Sequence, residues 1–200
     1  MDGLYVVRHE PTWCEESEPE PDDEYDSGTD HKTVYALFGL AIYKANCLEH
    51  SLVNALALTK MITAREQGEQ LIRDPWTQGF KDMMGKLIKR VEPYTSAYPE
   101  VVDDLTRSLK RRNDLVHNFW RERIQEMISE AGRTRLCADL KSDCRLLTQT
   151  DERFSGRVLD PIMESMGITA EAVEAQYAKE RREAMACYET EEFTTGGDSA

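Results

Sequence analysis

Three polar side chains, Arg112, Asn113 and His117, interrupt an apolar helical pattern in the middle of the chain. The apolar stripe recurs at three- and four-residue spacing as far as Leu109 and resumes at Val116. Arginine keeps its charge at every ordinary pH, histidine exchanges a proton near neutral pH, and an amide both donates and accepts hydrogen bonds. Because burying such groups without partners is costly, they need either partners inside the fold or a functional role.

The spacing of these residues leaves two interpretations open. In a helix the five residues from Arg112 to His117 turn through about 140°, so the two side chains flank one face with Asn113 at its edge. In the structural interpretation, Arg112 pairs with an acid of the first helix, such as Glu49, and His117 is a satisfied core histidine. In the functional one, Arg112 and His117 converge on an opening of phosphate size.

The run from Arg112 to His117 reads R-N-D-L-V-H and resembles the R-N-x-x-x-H element of the HEPN family (higher eukaryotes and prokaryotes nucleotide-binding domains). Its flanks are also similar, with Leu115-Val116 before the histidine and Phe119-Trp120 after it. The specific resemblance covers about residues 109–120. The rest of the chain is similar only as a set of long helices.

This resemblance implies an all-α fold, a HEPN-like bundle of four to five helices, and a metal-independent endoribonuclease without a cofactor. Two chains would pair so that both elements line one cleft. His117 would be the acid–base group, Arg112 would hold the scissile phosphate, and Asn113 would orient a side chain or the substrate. The RNA products would carry 2′,3′-cyclic phosphate and 5′-OH ends.

Further residues have both a supporting and an ordinary interpretation. Glu49 is expected to reach the site and set the protonation of His117, or else to be an exposed carboxylate. Lys110 and Arg111 would add phosphate affinity, or else belong to a solvated face. The other histidines have no ligand-like spacing with Cys or acidic residues, so no metal site is assigned.

Three classes of function remain open at this point. The first is a ribonuclease acting on RNA in defence, growth arrest or a toxin–antitoxin setting, working as a homodimer and having an antitoxin or regulatory protein as a further partner. The alternative is a catalytically inactive HEPN-like module that binds RNA, a nucleotide or a protein partner. The third is a helical scaffold in which the polar triad is structural.

Prolines, glycines and apolar periodicity predict five helical regions. Gly68 ends the first, Pro99 sits in the first turn of the third, and Thr169 caps the last. A break in the fourth is expected near Ser155-Gly156 or at Pro161. The predicted regions are 33–65, 76–91, 100–131, 134–166 and 170–187, and the third carries the Arg112 element.

The net charge of −13 argues against a protein that grips nucleic acid through its overall charge. Ten acidic residues and no Lys or Arg lie between Glu10 and Asp30, and the rest of the chain holds 25 basic against 28 acidic residues. We therefore predict an N-terminal segment, 1–32, with a flexible, disordered acidic arm, a helical domain, 33–188, and a disordered tail, 189–200. The arm is either a solubilising tail or a mock substrate for a phosphate-binding site.

Cysteine usage and hydropathy bear on the compartment. The five cysteines form no C-x-x-C pair, which predicts free thiols in a reducing environment. No apolar run approaches the roughly 18 residues that a membrane helix needs, and the amino terminus lacks the basic residues of a signal peptide. The sequence thus predicts a cytoplasmic protein without a membrane partner, whose one β-like run is 4–7.

Overall fold

The computed structural model describes residues 30–70 and 74–195, which form helices joined by short turns and contain no strand. The all-α prediction is confirmed. The chain divides into two compact units, one ending at Ile162 and the other beginning at Met163. The helices are α1 (His31–Gln67), α2 (Pro75–Gly79), α3 (Met84–Thr95), α4 (Pro99–His117), α5 (Phe119–Arg123), α6 (Glu130–Phe154), α7 (Asp160–Ser165) and α8 (Ala170–Thr195), with a 3₁₀ segment (Ile124–Ile128) before α6 and a π-helical turn (Ser155–Leu159) after it.

Helix α1 is the central element of the first unit, and α2, α3, α4 and α6 all pack against it. It begins where the Asp30 carboxylate accepts a hydrogen bond of 2.7 Å from the Thr33 N–H. It ends at Gly68, whose φ of 66° lets its N–H reach the last carbonyls of the helix. The 37 residues between contain no proline, so the helix is long enough to cross the unit.

The core of the first unit lies between α1 and the helices around it. The indole N–H of Trp76 donates a buried hydrogen bond of 2.9 Å to the Asn54 side chain, which fixes the short helix α2 to α1. The largest fully buried side chains in the described part of this unit come from α1, α3, α4, α6 and the π-helical turn: Leu48, Leu52, Leu58, Met84, Leu87, Leu105, Leu115, Leu136, Leu140, Leu147, Phe154 and Leu159.

The predicted third helix, 100–131, is wrong in its length, because α4 stops at His117. Asn118 leaves the helical path with φ −119°, and the chain restarts at Phe119 in α5. The break turns two aromatic rings onto α1: Phe119 lies 5.2 Å from Phe38, and Trp120 lies 5.1 Å from it, measured between ring centroids. Packing of these rings against Phe38 stabilises the bend without a proline or glycine at the break.

Two other helical regions differ from the prediction. The region 76–91 is two helices, α2 and α3, and α3 continues through Pro93 to Thr95. In the fourth region, α6 starts earlier, at Glu130, and the expected break at Ser155-Gly156 is confirmed as the π-helical turn.

In the second unit, the Thr169 hydroxyl accepts a hydrogen bond of 3.2 Å from the Ala172 N–H, which confirms Thr169 as the cap of α8. Helix α8 runs to Thr195, beyond the expected end at position 187. Residues 189–195 of the predicted tail are therefore helical. The rest of that tail, the β-like run 4–7 and the acidic arm up to residue 29 lie outside the described residues.

None of the helices in the described part of the chain has the length and apolar character that a membrane span requires.

Candidate functional site

The buried face of α4 decides where the polar triad points. That face runs through Val101, Leu105 and Leu115, and Leu115 is 1% exposed. Val116, the position expected in the stripe, is 47% exposed instead. The expected stripe is therefore shifted by one residue, which turns Asn113 and His117 toward the surface and leaves the triad outside the dry core.

Arg112 is held half-buried at the edge of the core by Glu49 of α1. Its Nε lies 3.1 Å from Glu49 Oε1, and the two side chains are 24% and 20% exposed. Its Nη1 also donates to Asn113 Oδ1 over 3.4 Å. Since a guanidinium has five N–H donors, these two neighbours leave it with donors for a ligand. This ion pair is the one that the structural interpretation predicted.

His117 is exposed and occupies the last position of α4. Its imidazole forms no hydrogen bond or ion pair with any residue in 30–70 or 74–195. The core histidine of the structural interpretation is therefore not what the structure contains.

Arg111 has a different setting from Arg112. Its Nε and Nη2 each donate a hydrogen bond of 2.7 Å to the Asp143 carboxylate on α6. Those hydrogen bonds raise the pKa of the Arg111 guanidinium. This fork-to-carboxylate pairing favours a structural role for Arg111, whereas Lys110 is exposed.

A polar ladder between α4 and α6 continues this pairing. The Ser108 and Thr150 hydroxyls lie 2.9 Å apart in the core, and Asp104 pairs with Arg153 of α6 and with Arg107 of its own helix. The ladder residues recur at positions 104, 108 and 111 on α4 and 143, 150 and 153 on α6, a helical spacing that sequence reasoning missed. Because the ladder fixes the rotation of α4, it also fixes where Arg112 and His117 face.

Several exposed apolar side chains lie near His117 in the sequence or on α1 against Trp120. Tyr35 is 54% exposed, with its ring 5.4 Å from that of Trp120 between centroids. Val116, Ile124 and Ile128 are exposed as well, the last of them by 82%. Exposed apolar side chains of this kind are candidates for a contact surface.

A pocket of about 210 Å³ adjoins the Arg112–Glu49 pair. We call it the α1 pocket; its lining residues are Asn46, Glu49, His50, Val53, Phe80, Asp82 and Leu87. A second pocket lies at the Asp104 end of the polar ladder. His117 lines neither of them. The structure thus brings Arg112, Asn113 and Glu49 together, but it does not place His117 in a pocket with them within one chain.

No group of three or more His, Cys, Asp or Glu side chains within 30–70 and 74–195 is placed to hold a metal ion. Comparison of the chain with protein family models, with curated proteins and with solved structures found no match.

Proposed function

We propose that this chain is a metal-independent endoribonuclease of the HEPN type that cuts RNA in a cleft shared by two chains. The observation that carries the proposal is the exposed imidazole of His117 at the end of α4, which has no hydrogen-bond partner among the described residues. It lies five residues from a guanidinium that Glu49 holds in place. The R-N-x-x-x-H resemblance supplies the reaction class.

The chemistry assigns each group a step. His117 as a base takes the proton of a ribose 2′-OH, and the 2′-oxygen attacks the neighbouring phosphorus. The bond to the 5′-oxygen breaks, and that oxygen leaves with a proton returned by an imidazolium. Arg112 stabilises the negative charge on the phosphorus oxygens throughout. The products are a 2′,3′-cyclic phosphate and a 5′-OH.

The geometry of α4 supports a site built from two chains rather than one. Arg112 and His117 are separated by about 140° around the helix and about 7.5 Å along it. A second chain related by a two-fold axis would bring its own His117 to the Arg112 of the first. The exposed apolar side chains of Val116 and Tyr35 would provide the contact surface for this pairing.

Glu49 would act as a positioning residue for Arg112. A guanidinium on a long flexible side chain loses conformational entropy when it binds a phosphate. Since the ion pair already holds Arg112 Nε in one place, part of this conformational entropy is lost on folding, before RNA binds.

A second function is favoured by the same ion pair. Because Glu49 offsets the charge of Arg112, the chain would bind RNA, a nucleotide or a protein partner through this surface without cutting it. The overall charge of −13 adds to the repulsion of a long RNA. A role in defence or in a toxin–antitoxin pair, with its antitoxin or regulatory partner, rests on the resemblance alone.

The test is cleavage of total RNA and purified tRNA in the presence of a metal chelator, with the fragment ends identified chemically. We expect 2′,3′-cyclic phosphate and 5′-OH ends from the unmodified chain. His117→Ala should lower the cleavage rate on the order of a hundredfold or more, which is the usual contribution of an acid–base group. His31→Ala and Arg65→Ala, which change an exposed histidine and an exposed arginine at the two ends of α1, are the matched controls and should cut normally.

Thermal unfolding of each variant decides between the remaining outcomes. If His117→Ala unfolds the protein, the side chain is structural and the proposal is wrong. If the unmodified chain binds RNA with a steep salt dependence but yields no fragments, the binding module is correct.

A further inference from the structure

The buried face of α4 carries polar side chains. Asp104 and Ser108 are buried, and both pair with residues of α6, as does the half-buried Arg111. Burying such groups costs free energy unless each has a partner. The hydrophobic effect alone therefore does not explain why α4 presents this face to the core.

A second face of α4 is more apolar than the buried one. Turning the helix by one residue, about 100°, would exchange three buried positions for their next neighbours along the chain. The exchanges would be Val101 for Val102, Ser108 for Leu109 and Leu115 for Val116. They gain a leucine for a serine, and the same turn brings Asp104 and Arg111 toward water. Apolar burial alone thus favours a rotation that the structure does not contain.

The partners on α6 oppose that turn. The buried Asp143 carboxylate accepts two hydrogen bonds of 2.7 Å from Arg111, and the buried Thr150 hydroxyl lies 2.9 Å from that of Ser108. If α4 turned, both α6 side chains would lose these partners while they remained among the packed helices. A buried polar group that loses its partner costs the full desolvation penalty, most of all when it is charged.

We infer that Asp143 is a positioning residue for the proposed site, because its two hydrogen bonds with Arg111 hold α4 in the rotation that exposes His117. In this rotation His117 lies about 180° around the helix from the centre of the buried face, and the alternative rotation reduces that angle to about 90°. The turn would also carry Arg112 away from Glu49. The effect on cleavage rests on the proposed function, whereas the effect on the rotation of α4 does not.

The experiment follows the rotation of α4 through the reactivity of an introduced thiol. Val102→Cys places the thiol at an exposed position that the alternative rotation would bury. The full chain is treated with a maleimide, and mass spectrometry of the peptide containing position 102 separates its labelling from that of the native cysteines. Adding Asp143→Leu and Thr150→Val removes both α6 partners, so labelling at position 102 should slow by about tenfold or more as the turned state becomes populated.

Two controls separate a rotation from a general change in structure. Asp103→Cys moves the thiol to a position that is exposed in both rotations, so its labelling should be unaffected by Asp143→Leu/Thr150→Val. Ser142→Leu/Gln149→Val places the same two apolar residues, at the same spacing, on the exposed face of α6. In that background, labelling of Val102→Cys should stay fast.

A paired substitution tests the direction of the effect. Arg111→Leu with Asp143→Leu also removes the pairing, but it adds a leucine to the face that α4 already buries. This pair should keep the observed rotation and fast labelling of Val102→Cys, because replacing both partners by apolar groups leaves no unpaired polar atom.

Either of two results would overturn the inference: slow labelling of Val102→Cys in folded Arg111→Leu/Asp143→Leu, or fast labelling in folded Asp143→Leu/Thr150→Val. If the second of these variants does not fold, Asp143→Asn takes its place under the same criterion. Asparagine keeps the volume of the side chain and removes the charge and one of the two acceptors.

Cleavage of tRNA by chains without the introduced thiol tests the consequence for the proposed site. In Asp143→Leu/Thr150→Val, kcat should fall on the order of a hundredfold, as for a displaced catalytic group, whereas Ser142→Leu/Gln149→Val should cut normally. If labelling slows as expected but the unmodified chain cuts no RNA, the role of Asp143 in the rotation of α4 stands and the ribonuclease proposal is wrong. If the unmodified chain cuts RNA and labelling stays fast, only the positioning role is wrong.

Discussion

The Arg112–Glu49 pair couples the stability of the bundle to the chemistry proposed for its surface. Both side chains are less than a third exposed, so their attraction is only partly screened by water. The same guanidinium is assigned to the scissile phosphate. The charge of Arg112 therefore contributes to stability and its planar shape to the proposed cleavage. A conservative substitution separates the two contributions.

We predict that Arg112→Lys keeps most of the stability and loses most of the cleavage. Lysine retains the charge opposite Glu49, so the free energy of unfolding should stay within about 1 kcal/mol of that of the unmodified chain. An ammonium lacks the planar fork that grips a phosphate, so cleavage should fall by about tenfold or more. Urea unfolding and initial rates on tRNA measure the two effects, and full activity in Arg112→Lys would show that the guanidinium does not hold the phosphate.

At this scale the sequence predicted which residues interact but not which way they face. Glu49 was named as a partner of Arg112 in the structural interpretation, and the structure contains that pair. The orientation of His117 was wrong in the structural interpretation, because Leu115 and Val116 are both apolar and about 100° apart on the helix. Either residue continues a stripe, and only the ladder from Asp104 to Arg111 against α6 settles the rotation of α4.

Among the elements, the 3₁₀ segment and α6 meet at Gly132. Of the described glycines, this one has the closest backbone neighbour. A Cβ at Gly132 would lie 2.1 Å from the carbonyl oxygen of Glu126 and 2.9 Å from its Cα. The Gly132 N–H also donates a hydrogen bond of 3.1 Å to the Ser129 hydroxyl, which caps α6. Since the obstacle is backbone, no side-chain rotation can relieve it.

Gly132→Ala should therefore destabilise the protein by about 3 kcal/mol, the cost of forcing a methyl group into a packed site. Gly39→Ala is the matched control: a Cβ there meets nothing within 4 Å, and an alanine inside α1 should raise stability by about 1 kcal/mol. Thermal and urea unfolding of both variants provide the comparison. Equal stability of the two would mean that the junction is looser than its backbone distances indicate.

The local chemistry of a helix end determines whether that end could be predicted from the sequence. The ends at Gly68, Pro99 and Thr169 use residues whose backbone or side chain is specific to a helix terminus, and all three were predicted. The break at Asn118 has no such residue, and it is stabilised by contacts of Phe119 and Trp120 with α1 that are distant in sequence. Tertiary packing decides where such a helix ends. Because periodicity contains no information on that packing, it predicted a helix that continues past Asn118.

For the whole molecule, the charge of −13 sets a condition on any RNA-cutting role. Long-range attraction cannot concentrate RNA on a chain of this sign, so recognition must come from a few well-placed groups at short range. The proposed cleft between two chains would meet that condition, because each chain would contribute one α4 surface and the RNA would lie between them.

Paired variants can show which chain provides each group of the proposed site. If Arg112 and His117 of one site come from different chains, a dimer of an Arg112→Ala chain with a His117→Ala chain contains one intact site and one site lacking both groups. Co-expression with random pairing should give about a quarter of the normal activity, since half the dimers are mixed and each has one working site. Either variant alone should be inactive.

A matched co-expression separates this arrangement from one in which both groups of a site belong to one chain. The unmodified chain paired with the double variant Arg112→Ala/His117→Ala should retain about a quarter of the activity when the groups come from different chains, and about half when they share a chain. Size-exclusion chromatography first establishes that dimers form. The absence of any restored cleavage in the mixture of single variants, with dimers present, would show that the two α4 helices do not build a composite site, because the missing group is then never supplied by the partner.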